Sequence, residues 1–156
     1  MIRPAAGEDA PVVFALIREL ATYERLADQV DATEAMIADA LSGPEPRVSC
    51  DLAERDGEAV GFAMWFYSFS TFRGRRGLYL EDLFVRPAHR GHGIGKALLA
   101  GLARRCVAEG LARLEWSVLD WNEPALGFYR GLGAVGVDGW TRHRLDGEAL
   151  ARLGAP

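Results

Sequence analysis

Cysteine is scarce in this 156-residue chain: Cys50 and Cys106 are the only two. They lie far apart in apolar surroundings, so buried thiols are expected rather than a disulfide or a thiolate metal site. Of the three histidines, His89 and His92 are three apart but have no cysteine or second histidine pair nearby. A metal site is therefore not expected. No run of 18 apolar residues exists, so no membrane-spanning helix is expected. Met1-Ile2-Arg3-Pro4 lacks the apolar centre of a signal peptide, and a cytoplasmic location is the natural reading. Internal repeats and low-complexity linkers are also missing. The net charge of −4 argues against a nucleic-acid partner. What remains is one domain, residues 1–156, with 49% hydrophobic residues, enough to bury a core.

Against this plain background one segment stands out. The apolar run Leu78 to Val85 breaks at Arg86-Pro87 and leads into Arg90-Gly91-His92-Gly93-Ile94-Gly95-Lys96. A strand that turns through alternating glycines into a helix suits phosphate binding. Glycines let backbone N–H groups approach the ligand, and the helix N-terminus adds partial positive charge. Arg86, Arg90 and Lys96 make the loop basic. A P-loop is excluded because Arg90 stands where the first glycine is needed and Ala97 follows Gly95-Lys96. The dinucleotide pattern fails as well, because Lys96 or Leu98 occupies its last glycine position. Acidic residues gather elsewhere, at Glu81-Asp82, at Glu24-Asp28-Asp31 and at Glu115-Asp120-Glu123. A cationic loop beside an acidic cleft would hold an anionic cofactor and a cationic substrate together.

Hydrophobic period and turn signals give a coarse architecture. Residues 2–5 read as a strand, followed by a helix that Glu8 or Asp9 caps, with Pro11 in its first turn. Val12, Phe14, Leu16, Ile17 and Leu20 form its apolar face. Thr33 to Leu41 reads as a second helix, capped by Thr33, with Met36, Ile37 and Leu41 inward. Val48 to Glu54 and Glu58 to Phe69 read as a hairpin about Arg55-Asp56-Gly57. Leu78 to Val85 is a strand, Ile94 to Glu109 a helix closed by Gly110, and Leu111 to Leu119 a strand. Asn122 to Leu132 is a short helix ended by Gly133, and Trp140 to Leu145 a last strand. This order suggests an α+β mixed sheet.

Arg-Gly-x-Gly-Ile-Gly after a strand bearing an acidic pair resembles the acetyl-coenzyme A loop of GNAT-type N-acetyltransferases. The resemblance extends through Ile2-Arg3-Pro4-Ala5, Val60-Gly61-Phe62-Ala63-Met64, Tyr79-Leu80-Glu81-Asp82-Leu83-Phe84-Val85, Asp120 to Ala125, Phe128-Tyr129 and Leu132-Gly133-Ala134. It is nearest to the diamine (spermidine/spermine) and thialysine acetyltransferases. It implies a mostly antiparallel central sheet flanked by helices, with splayed strands forming the acetyl-CoA cleft. It also implies a homodimer, with Trp140 to Leu145 near the partner.

The resemblance distributes roles along the chain. Acetyl transfer needs a neutral amine, although a lysine-like amine has a pKa near about 10.4. It needs donors for an oxyanion and a proton for the leaving thiolate. Glu81 would bind the ammonium and relay its proton through water, and Asp82 would share in substrate binding. On a regular strand these two acids point to opposite faces. Leu83, Phe84 and Val85 would meet the thioester and pantetheine through their backbone, after a bulge. Arg90, Gly91, His92, Gly93, Ile94, Gly95 and Lys96 would hold the pyrophosphate, with Asn122 and Pro124 as further cofactor contacts. Tyr129, a phenol that stays protonated at neutral pH, would act as the general acid and touch the cofactor. Tyr23, Glu24 and Ser70 would line the amine site. Ser70 replaces an acid found in spermidine/spermine enzymes and resembles the thialysine branch. The expected substrate is thus a small cationic amine. A protein lysine or N-terminus, or a non-catalytic acetyl-CoA sensor, are the alternatives.

Overall fold

The Asp56-Gly57 pair turns the chain with both residues at positive φ, 54° and 83°. That geometry matches the right-handed twist of the strands it joins, β2 (Ser49–Arg55) and β3 (Glu58–Ser70). Around this hairpin a five-stranded sheet assembles in the order β1-β2-β3-β4-β5, with β1 Ile2–Pro4, β4 Arg75–Val85 and β5 Leu114–Trp116. All neighbours are antiparallel except β4 and β5, which run parallel. The computed structural model describes residues 1–155. The chain divides into two compact units, Met1–Ser117 and Val118–Pro156.

In the first unit, α1 (Ala10–Tyr23) and α2 (Glu34–Ser42) cover one face of the sheet. Val13, Leu16 and Leu20 of α1 pack against Cys50, Leu52, Phe62, Met64 and Phe84, with Ile37 and Leu41 at the margin. Their spacing along α1 gives a single apolar stripe, centred on Val13 and Leu16, both fully buried. Thr33 caps α2 as expected, its Oγ1 accepting from Met36 N at 3.3 Å. Met36, expected inward, is 60% exposed. Asp9 stands at the N-cap of α1 but makes no side-chain cap bond. Its carboxylate instead pairs with Arg3 through two bonds of 2.8 Å and accepts from Ala6 N. The guanidinium holds the Asp9 carboxyl down at about 2. On the opposite face α3 (Ile94–Ala108) buries Leu98, Leu99, Leu102 and Cys106. Arg105 of α3 stacks 4.8 Å from the Trp65 ring, and Trp65 Nε1 donates to Asp51 at 3.1 Å. Cys50 and Cys106 are buried and carry no disulfide. Among the described residues no helix is long and apolar enough to cross a membrane.

Two irregularities shape the C-terminal half of β4. First, its pairing with β3 shifts register: Met64 faces Asp82 and Trp65 faces Leu80, leaving Glu81 as an extra residue. Such a bulge reverses the alternation of the strand beyond it. Second, β5 pairs with β4 only over Leu78 to Leu80, so the segment beyond the bulge has no strand on that side among the described residues. The strand expected over Leu111 to Leu119 is thereby reduced to Leu114–Trp116.

The second unit holds α4 (Glu123–Gly131) and α5 (Gly147–Leu153). Asn122 caps α4, its Oδ1 accepting from Ala125 N at 3.3 Å, and Pro124 sits in the first turn. Gly133, at φ 86°, follows the helix end. The strand expected over Trp140 to Leu145 is not formed among the described residues, and α5 comes next in the chain instead. Trp140 is 79% exposed, so burial selects no one side of this alternating segment.

Candidate active site

The bulge decides where the acidic pair points. Asp82 opposes Met64 and so joins the α1/α2 face, together with Phe84 and Phe62. Leu80 opposes Trp65 and lies on the α3 face. Asp82 is half-buried; burial, and after it the charges of Glu81 and Glu24, push its carboxyl up to about 6. Glu24 closes the C-terminus of α1, and burial raises its carboxyl too. Glu81, the bulged residue, is exposed. Tyr23, Glu24, Glu81 and Asp82 thus gather at one end of β4, a carboxylate cluster that favours a cationic partner.

The same bulge decides which backbone groups are open. Before it, Leu78 N–H donates to Arg113 C=O at 2.9 Å, on the β5 side. Beyond it, Arg86 N–H donates to Val60 C=O at 2.9 Å. Bonds alternate along an antiparallel pair, so Asp82 and Phe84 face β3, while Leu83 and Val85 turn theirs to the unpaired edge. Gly61 permits the close approach of β3 here, since a Cβ on it would lie 2.6 Å from the Phe84 carbonyl oxygen.

Directly after this edge comes the glycine-rich loop. Gly91 and Gly93 adopt φ of 79° and 77°, and a Cβ on either would meet nothing within 4 Å. There is room above both residues, and the backbone conformation is one that favours glycine. Gly93 is the N-cap of α3, which has no side-chain cap among the described residues. The amides of Ile94, Gly95 and Lys96 begin the helix, whose first bond is Ala97 N–H to Gly93 C=O at 2.9 Å. His92 turns back into the loop, its Nδ1 2.9 Å from the Arg90 carbonyl.

The three cations around this loop have different surroundings. Arg86 is taken up by structure: it donates to Glu19 of α1 at 2.8–3.1 Å, to the Ala59 carbonyl at 3.0 Å and to Glu58. It clamps α1 to the start of β3, a role its sequence position did not reveal because Glu19 is 67 residues away. Arg90 donates its Nε–H to Val85 C=O at 2.8 Å. Lys96 is exposed and makes no ion pair among the described residues.

Ser70 is not brought to the acidic end within one chain. It opposes Arg75 at the far end of the β3–β4 hairpin, while the bulge lies beside Trp65. Five residues at about 3.3 Å each separate the two levels by roughly 17 Å. Ser70 is only 5% exposed, and its Oγ accepts from Arg73 N at 3.3 Å, holding the turn. This end of the hairpin is basic, with Arg73, Arg75 and Arg76. In the second unit, Tyr129 lies on α4 with its ring 5.2 Å from Phe128, and Asn122 precedes the helix.

A model of the Acetyltransferase (GNAT) family matches residues 13–134. The chain belongs to that family. It is an N-acetyltransferase acting on an amine, and its mostly antiparallel open sheet is the GNAT fold. The thialysine N-epsilon-acetyltransferase of Bos taurus is 40% identical over 165 residues, spanning 98% of this chain and 96% of the relative. The L-ornithine N5-acetyltransferase of Arabidopsis thaliana is 29% identical over 97% of this chain and 86% of its own. Among solved structures, an integron cassette protein from the mobile metagenome of V. cholerae superposes with a TM-score of 0.83. It is 25% identical and covers 100% of this chain and 98% of its own.

Proposed function

We propose that this GNAT protein transfers an acetyl group from acetyl-CoA to the primary amine of a small substrate with one cationic end, such as thialysine, lysine or ornithine. One observation carries the reading: a single extra residue, Glu81, both gathers Glu24, Glu81 and Asp82 at one end of β4 and turns the Leu83 and Val85 amides to an unpaired edge. Cation site and donor edge are thereby adjacent on one strand. The relatives named for thialysine and ornithine support the substrate class. The basic far end, Arg73 to Arg76, disfavours a chain carrying several ammonium groups.

Acetyl-CoA fits the residues present. The left-handed glycines have space above them, and the start of α3 offers amides for a pyrophosphate. When bound, acetyl-CoA supplies the activated acetyl thioester. The Leu83 and Val85 N–H groups would donate to the acetyl oxygen and to pantetheine carbonyls. Glu81 accepts the ammonium proton through water, and the neutral nitrogen forms a bond to the acetyl carbon as the carbon–sulfur bond breaks. Tyr129 would give its phenolic proton to the departing sulfur, and the second proton that the nitrogen sheds on becoming an amide would restore the phenol. Asp82, Glu24 and Tyr23 orient the cation, and Ser70 meets only the distal part of a long amine. Asn122 and Pro124 add cofactor contacts.

A single GNAT-like domain over residues 1–156 belongs to the same reading, supported by a family match that runs from residue 13 to residue 134. Homodimer assembly and a cytoplasmic setting belong to the same proposal. The dimer is supported by the exposed Val135, Val137 and Trp140. Incubation with acetyl-CoA and a panel of amines, read by mass spectrometry, tests the proposal. An N-acetylated lysine-like amine is expected; hydrolysis of acetyl-CoA without any acetylated amine overturns it.

A further inference from the structure

Arg90 reaches beyond the glycine-rich loop to which it belongs. Its Nε–H donates to the Val85 carbonyl, and its guanidinium lies 4.5 Å from the centre of the Tyr23 ring and 5.6 Å from that of Phe84. One planar group therefore touches three parts of the first unit: the open edge of β4, the core ring next to that edge, and the end of α1.

The end of α1 needs a support of this kind. Arg25 N–H donates to Thr22 C=O at 3.1 Å and Leu26 N–H to Ala21 C=O at 2.8 Å, the double bond of a Schellman stop. The left-handed position of that stop is Arg25, at φ 62°, where glycine is favoured. Glu24 sits between Tyr23 and this strained residue. A turn that is not settled by its own backbone preference is fixed by what packs on it, and Arg90 packs on its first ring. Val85 C=O, which points to the unpaired edge, is taken by the same guanidinium.

We propose that Arg90 is a positioning residue that fixes the Tyr23-Glu24 turn against the β4 edge, so that the cofactor loop and the amine site are held in one register. The proposal rests on the small-amine acetyltransferase reading above. It sets Arg90 apart from Lys96, which has only charge to offer. Lysine at position 90 would keep the charge but lose the flat face and the edge-on Nε–H, so the two cations are not interchangeable here.

A double-mutant cycle in the full-length protein tests it. Arg90→Lys is expected to raise the amine KM about 2- to 5-fold, the range of an exposed cation–π contact, with a smaller change in kcat. Lysine keeps the charge at position 90 and leaves the loop amides unchanged, so the acetyl-CoA Kd, read by calorimetry, is expected to move much less. Tyr23→Leu is expected to raise the amine KM as well, and the double variant to be no worse than the poorer single. Tyr23→Phe, which keeps the ring, is expected to leave the Arg90→Lys effect at full size. If Arg90→Lys does not fold, Arg90→Gln, planar and with an amide donor, runs the same cycle. Multiplicative effects of Arg90→Lys and Tyr23→Leu overturn the proposal, as does an acetyl-CoA Kd that weakens in step with the amine KM. Wild-type protein that acetylates no amine overturns the parent reading and this one together. Active wild type with independent variants overturns this one alone.

Discussion

Leu80 and Asp82 stand two positions apart on one strand and face opposite sides of the sheet, because Glu81 is inserted between them. On an unbroken strand they would share a face. Asp82 would then lie under α3, and Phe84 could not join the core beneath α1. The acidic end and the open amide edge are two results of this one insertion.

Asp82 makes the first prediction. Its carboxyl is raised from 3.8 to about 6, mainly by burial. The folded state therefore holds a proton that the unfolded chain has released between these values, and stability falls as pH rises through the window. Two pH units correspond to about 3 kcal/mol. Asp82→Asn is expected to stabilise the protein by about 1–3 kcal/mol at pH 8, with the gain closing toward pH 4. Urea unfolding of both proteins at pH 4, 6 and 8 checks this. A gain independent of pH contradicts it.

Gly93→Val places a branched side chain at φ 77°, over the start of α3. The left-handed conformation costs a non-glycine residue about 1–2 kcal/mol, so a modest drop in Tm is expected. The larger expected effect is on acetyl-CoA, with affinity falling by about tenfold or more as the backbone approach is blocked. Calorimetry on the folded variant decides; undiminished affinity removes the loop from the cofactor site.

Tyr129→Phe keeps the ring that meets Phe128 and deletes the hydroxyl. The expected fall in kcat is about 10- to 1000-fold, the scale of a lost general acid, with acetyl-CoA affinity nearly unchanged. Single-turnover kinetics isolates the chemical step. An unchanged rate there returns Tyr129 to a packing role.

Ser70→Asp is expected to keep the hairpin turn, because an aspartate oxygen can also accept from Arg73 N. It adds an acid at the basic end of the hairpin. The spermine kcat/KM is expected to rise by about fivefold, the lower end of a charged contact, while that for thialysine holds. Equal changes for both amines contradict a distal role for Ser70.

Much of the fold is legible in the sequence for local reasons. Strand, glycine-rich loop and helix are specified by neighbouring residues, and Asp56-Gly57 and Thr33 act through bonds a few positions long. What escapes is non-local or two-sided. Arg86 pairs with Glu19 across the fold, and Arg3 draws Asp9 away from capping α1. The alternation of Trp140, Arg142 and Arg144 imitates an edge strand, yet that segment pairs with none among the described residues. The bulge at Glu81 leaves no mark in the apolar run around it; only the family resemblance implies one, and the register shift supplies its place and its effect on Asp82. Ser70 is expected to line the amine site, and the hairpin register that sets its distance from the bulge is not visible in the sequence.

A thiol-release assay comparing kcat/KM for thialysine and spermine at saturating acetyl-CoA bears most closely on the proposed function. One acidic end and one basic end on the same hairpin predict a value for thialysine at least equal to that for spermine. A strong preference for spermine would contradict that prediction and the small-amine reading with it.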